Sequence, residues 1–238
     1  MDAFLYGVVL QWKLDFRNKG VLLTYYVVPL VFFAFMGGIF SSINPEAKST
    51  LIQTMTVFGV TMGAVLGAPA QLVELYGSEI KKAYRVGRIP LWIATVNNFI
   101  SAFVHLFLMS IIIYLAAPLV FGAVRPERPL VYFLALAVFI IVCLGVGTLL
   151  GLFVKSASRL TMVSQFIFLP SIMLSGIMFP VSMLPESLMT AGKIFPATWG
   201  YALMTSETMD PGLLIPLLLI LAVSLLLSWY KLRKISLE

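Results

Sequence analysis

The chain has 238 residues, of which 61% are hydrophobic and 11% charged, with a mean hydropathy of +1.02. Charged content less than half the ~25% of soluble domains leaves too little polar surface to dissolve a domain of this length, so the solvent is lipid. The net charge of +6 then speaks to orientation rather than to nucleic-acid binding, and a single cysteine, Cys143, inside an apolar run excludes an intrachain disulfide.

In chain order, residues 1–20 carry Phe4, Val8, Trp12 and Phe16 every four residues beside Lys13 and Arg17. This is the pattern of a helix lying in the headgroup layer. The apolar run that follows is longer than the core of a cleavable signal, and no A-x-A site closes it. Apolar runs of about 20 residues, the length that crosses ~30 Å of hydrocarbon, fall at about 21–40, 51–73, 92–117, 130–153, 161–180 and 212–230. The expectation is one all-α, polytopic membrane domain over 1–238, with six transmembrane helices behind an N-terminal interfacial helix. No internal repeat, low-complexity tract or linker divides it.

The basic residues sort by side. Lys13, Arg17 and Lys19 precede the first span, and Lys81, Lys82, Arg85 and Arg88 separate the second from the third. Lys155 and Arg159 join the fourth to the fifth, and Lys231, Arg233 and Lys234 follow the sixth. Only Lys48, Arg125, Arg128 and Lys193 stand on the other side, so 12 of 16 share the face of the two termini, which the positive-inside rule assigns to the cytoplasm.

Away from their edges the spans hold no Asp, Glu, Lys or Arg; their polar residues are chiefly Asn97, Asn98, His105, Gln165 and scattered Ser and Thr. An ion-coupled carrier needs an intramembrane ionisable group, which argues against that class. No GxxxxGK[ST] phosphate loop, GxSxG elbow or HExxH pair occurs, so no catalytic or metal site is expected and any energy must come from a partner. His105, the one histidine, reads as a packed, neutral, hydrogen-bonded imidazole.

Gly59, Gly63 and Gly67 repeat at spacing four on the second span, and Gly147 and Gly151 on the fourth. Such stripes let helices approach closely, either as static packing or as a seam along which a helix slides. After the fifth span, Pro180, Pro185 and Pro196 cut an apolar segment into pieces too short to cross a bilayer, so residues 181–204 are expected as re-entrant half-helices. An ordinary loop would leave Met183, Leu184, Leu188, Ile194, Phe195 and Trp199 in water.

Taken together, the interfacial helix, six spans, charged segment after the second span and the LSGIMFPVSMLP run followed by FPATW resemble the permease subunits of ABC-2 type (type V) exporters. Relatives end the fifth span in S-G-x-x-F-P-x-x-x-L-P, matched by Ser175, Gly176, Phe179, Pro180, Leu184 and Pro185. Their charged segment reads E-x-x-G-T-L-x-x-L-x-x-x-P; registered on Pro90, Lys81 and Lys82 replace Gly-Thr and Glu79 lies one position after the pattern's Glu. The resemblance implies that residues 78–89 form a coupling helix, with Glu79, Lys81, Lys82, Tyr84 and Arg85 docking on a separate ATPase subunit. It implies a translocation path between two protomers, lined from the first, second and fifth spans by Tyr25, Phe32, Met55, Phe58, Met62, Phe166, Leu169 and Met173. The implied assembly is two permease copies with two cytoplasmic ABC ATPase subunits in a bacterial plasma membrane. ATP and Mg would sit on the partner, and no cofactor on this chain. Export of a hydrophobic or amphipathic drug, antimicrobial peptide, lipid or glycan follows; the alternative is a membrane scaffold or substrate-binding module without an ATPase cycle.

Overall fold

The computed structural model describes residues 2–43, 45–77, 86–87 and 90–237. The structure is 86% helical with no strand among the described residues, and six helices are long and apolar enough to cross a membrane. Helix α1 (Asp2–Arg17) leads into the first span, α2 (Lys19–Ile43), which contains a π-helical turn at Leu23–Val27. A 3₁₀ turn at Pro45–Ser49 precedes the second span, α3 (Leu51–Tyr76), with its own π-turn at Gly63–Gly67. The third and fourth spans are α4 (Leu91–Phe121) and α5 (Pro129–Phe153), and the fifth is α6 (Ala157–Leu174). Two short helices, α7 (Glu186–Gly192) and α8 (Pro196–Thr205), come before the sixth span, α9 (Pro211–Leu237).

Local chemistry sets these boundaries. Asn18 breaks α1 from α2 because its side-chain oxygen accepts from the Gly20 and Val21 amides at 2.9 and 3.4 Å, satisfying donors that a helix start leaves unpaired. Gly122 ends α4 in the left-handed region, at φ 65°, which lets the amides of Gly122 and Ala123 return to the Pro118 and Ala117 carbonyls. Pro129 opens α5 at a position where its missing N–H costs nothing. The fifth span stops at Leu174, six residues before the expected 180. Its cause is Gly176 at φ 89°, a backbone state that a helix cannot continue through. The segment after it divides at the prolines: Pro180 precedes a 3₁₀ turn (Val181–Met183), Pro185 precedes α7 and Pro196 opens α8.

Burial is inverted relative to a soluble bundle. On α9, Leu218, Leu219, Val223, Leu226 and Trp229 are exposed, while Ser224 and Ser228 are buried. Gly145 of α5 lies against Leu221 and Ser224 there, so small residues are kept for helix contact and large apolar ones face outward. That arrangement is stable only where the surroundings are as apolar as leucine. The second span is enclosed by its neighbours, and α5 beside it touches α3, α4, α8 and α9.

Candidate functional site

Two π-turns meet at the heart of the bundle. A π-turn inserts an extra residue into a helix and redirects side chains locally, and such turns concentrate at functional positions. Here the turn of α2 contacts that of α3, and Tyr25, fully buried, lies across the glycines opposite it. A Cβ at Gly67 would stand 2.7 Å from Tyr25 Cε1, and one at Gly63 would be 3.1 Å from Tyr25 Cδ1 while overlapping Leu106 of α4. At Gly59 it would be 2.6 Å from Met109 Cε. This stripe of α3 therefore receives α2 and α4. The other stripe serves a different contact: Gly147 of α5 meets the Ala64 carbonyl, and Gly151 meets Leu72 and the Pro69 carbonyl of α3.

The residues implied for a translocation path fall into two groups. Tyr25, Met55 and Phe58 are buried inside the protomer, and Phe32 and Met62 are half-buried against the same core. Phe166, Leu169 and Met173 instead lie on one outward face of α6, at 76%, 53% and 52% exposure. One protomer does not bring these eight side chains to a common surface. What joins the first, second and fifth spans is an aromatic ladder: Phe32 stacks on Phe58 at 3.6 Å between ring centroids, and Phe58 meets Phe168 edge-on at 5.6 Å. Phe168, between Phe166 and Leu169 in sequence, is buried, while those two point away.

Beyond the ladder a cavity of about 580 Å³ opens between the end of α2, the start of α3 and the turn after α6. Its apolar lining includes Ile39, Phe40, Ile177 and Met178, and its polar lining Ser49, Thr50, Thr54 and Glu46. Gly176 and Pro180 of the S-G-x-x-F-P run form part of the wall. A molecule with both apolar and polar parts would find matching surface there. On the same segment, Trp199 donates its indole N–H to the Lys193 carbonyl at 2.7 Å and packs half-buried against the core.

At the end where the chain begins, a polar cluster lies between α1, α2 and α4. Asp15, 3% exposed, accepts from Ser101 Oγ at 2.5 Å on one oxygen and from Gln11 Nε2 at 2.9 Å on the other. His105, fully buried, has Nδ1 2.8 Å from the Tyr26 hydroxyl and Nε2 3.9 Å from the Asp15 carboxyl. The Trp12 and Tyr25 rings stack beside the imidazole, and Phe16 and Tyr26 close it in. Burial raises the Asp15 pKa, opposed by the bonds from Ser101 and Gln11. His105 is packed and hydrogen-bonded, yet it also faces a carboxyl group that no reading of the spans could supply. Asp15 belongs to a helix expected at the headgroups, and only the Gln11–Asp15 spacing of four hinted at a shared polar face.

The expected coupling residues Glu79, Lys81, Lys82, Tyr84 and Arg85 lie outside the described residues. Among the described residues no group of His, Cys, Asp and Glu could hold a metal ion.

No curated protein matches the chain. The family model of the ABC-2 type transporter does match, across residues 3–207, which takes in α1, the first five spans and both short helices of the proline-punctuated segment. With six candidate spans and no strand among the described residues, the match places this protein among the ABC-2 type transporters, as a permease subunit.

Proposed function

We propose that this permease works as two copies with two cytoplasmic ATP-binding subunits, exporting a hydrophobic or amphipathic molecule. Both termini lie on the ATPase side of the plasma membrane. The observation that carries the reading is the family match over residues 3–207, on a chain with no phosphate loop of its own. Transport then needs nucleotide energy from a partner. Three features agree with it: the ladder of Phe32, Phe58 and Phe168 linking three spans, the outward apolar face of Phe166, Leu169 and Met173 available to a second protomer, and the amphipathic cavity near Ile39 and Thr54. Glu79, Lys81, Lys82, Tyr84 and Arg85 form the contact with the ATPase.

Charge reversal tests the coupling. Lys82→Glu with Arg85→Glu leaves the basic residues at both termini and at Lys155 and Arg159 to hold the orientation, so insertion should survive. Docking should not, because breaking a desolvated charge pair costs roughly 2–5 kcal/mol, more than a tenfold loss of association. The double variant is expected to insert normally, lose its ATPase on purification and fail to transport. A variant that keeps the ATPase and transports at the native rate would move the coupling contact elsewhere.

A further inference from the structure

We propose that Asp15 and His105 form a proton-binding site, whose single exchangeable proton clamps α1 onto the third span and whose loss loosens it. The two residues are 90 positions apart, on helices that meet only in the folded bundle, and both are almost completely buried. Each Asp15 oxygen accepts one hydrogen bond and keeps a further lone pair, and His105 has one ring nitrogen bonded and the other open toward Asp15. Asp15 is held by Ser101 and Gln11, and His105 by Tyr26, but the 3.9 Å between Nε2 and the carboxyl is too long for a hydrogen bond, and Nε2 has no partner.

Proton balance follows from the two tautomers. If the Tyr26 hydroxyl donates to Nδ1, the ring proton sits on Nε2 and points at Asp15 across the gap. If Nδ1–H donates to Tyr26, a bare Nε2 lone pair faces the carboxylate. In both cases the pair carries one negative charge, and one proton from solvent cancels it. After uptake, Nδ1–H donates to the Tyr26 oxygen, and the second proton lies between Nε2 and Asp15, where closing the gap converts a bare contact into a charge-assisted hydrogen bond. No bond other than those to hydrogen changes.

Helix α1 presents Asp15, and the π-turn of α2 presents Tyr25 and Tyr26. Helix α3 meets Tyr25 through Gly63 and Gly67, which do not titrate, and α4 contributes His105 with Ser101. Among the described residues Asp15 has no lysine or arginine partner, so none of these neutralises it. An unpaired buried carboxylate is costly, and burial accordingly raises its pKa. A group whose pKa is raised on folding contributes stability below that pKa and loses it as pH rises through it. Docking of α1 should therefore tighten as pH falls.

This site does not depend on the transport reading, and its test needs no ATPase. His105 is the only histidine, so ¹⁵N-histidine in the full-length permease in lipid nanodiscs reports one ring. From about pH 9 to about pH 4 its nitrogen shifts should show one protonation step. Asp15→Asn removes the anion that favours the protonated pair and should lower the midpoint by about one unit or more, a tenfold loss of proton affinity. Gln11→Leu keeps both groups but removes a bond that stabilises the carboxylate, and should raise it. With Trp92, Trp199 and Trp229 replaced by Phe, Trp12 emission should fall through the same step, since its indole stacks 6.1 Å from the ring that becomes imidazolium. Ring shifts that stay flat over this range, or a step that neither Asp15→Asn nor Gln11→Leu moves, would overturn the proposal.

Discussion

Tyr25 and Gly67 meet across two π-turns so closely that no side chain larger than hydrogen fits at Gly67: its Cβ would stand 2.7 Å from the tyrosine ring. Because Tyr25 is also stacked on His105 at 5.5 Å between centroids, it cannot yield on that side without disturbing the Asp15 cluster. One glycine thus sets the spacing of three spans.

Gly63→Leu should be the more severe probe of this contact. Its side chain would collide with Leu106 as well as Tyr25, and overpacking of this kind costs roughly 1–3 kcal/mol. The variant is expected to insert, melt several degrees lower in detergent and lose transport. Native melting and native transport together would return Gly63 to an unconstrained position.

The Tyr132 hydroxyl is 2.9 Å from Thr56 Oγ, joining the second and fourth spans inside the core. Interhelical bonds of this type contribute only about 0.6–2 kcal/mol, because each group also finds partners when the helices separate. Tyr132→Phe should lower unfolding stability by that amount. Thr56→Val added to it should cost less than the two single changes together, which a double-mutant cycle measures.

Sidedness is accessible to thiol labelling, since the native Cys143 is buried and leaves little background. Cysteines introduced at Ser42 and Glu127 should react with an impermeant reagent added outside intact cells, and those at Lys82 and Lys234 should not. The reverse labelling would invert the proposed orientation.

Trp199 tests where the short helices after the fifth span lie. In a variant lacking the other three tryptophans, shallow lipid-borne quenchers should reduce its emission strongly and aqueous iodide weakly. Strong iodide quenching with no lipid effect would place α8 in water.

The sequence alone determined the solvent, the helical class and the six spans, because a run of apolar residues long enough to cross hydrocarbon must satisfy its own backbone, and only a helix does so locally. It also marked the breaks at Pro180, Pro185 and Pro196, since proline's missing N–H and fixed φ act on neighbouring residues alone. Fifth-span length was less legible: apolar character runs on past Leu174, and what ends the helix is a single positive φ at Gly176. The glycine stripes signalled close approach but not partners. Tertiary structure decided that Gly63 and Gly67 receive Tyr25 whereas Gly147 receives Ala64, and that Phe58 and Phe168 turn inward while Phe166 turns out. Above all it decided the surroundings of His105. A pattern read along one helix reports which faces are apolar, but it cannot report that Asp15, on another helix 90 residues earlier, fills the space beside a buried imidazole. That juxtaposition arises only when α1 packs against the third span.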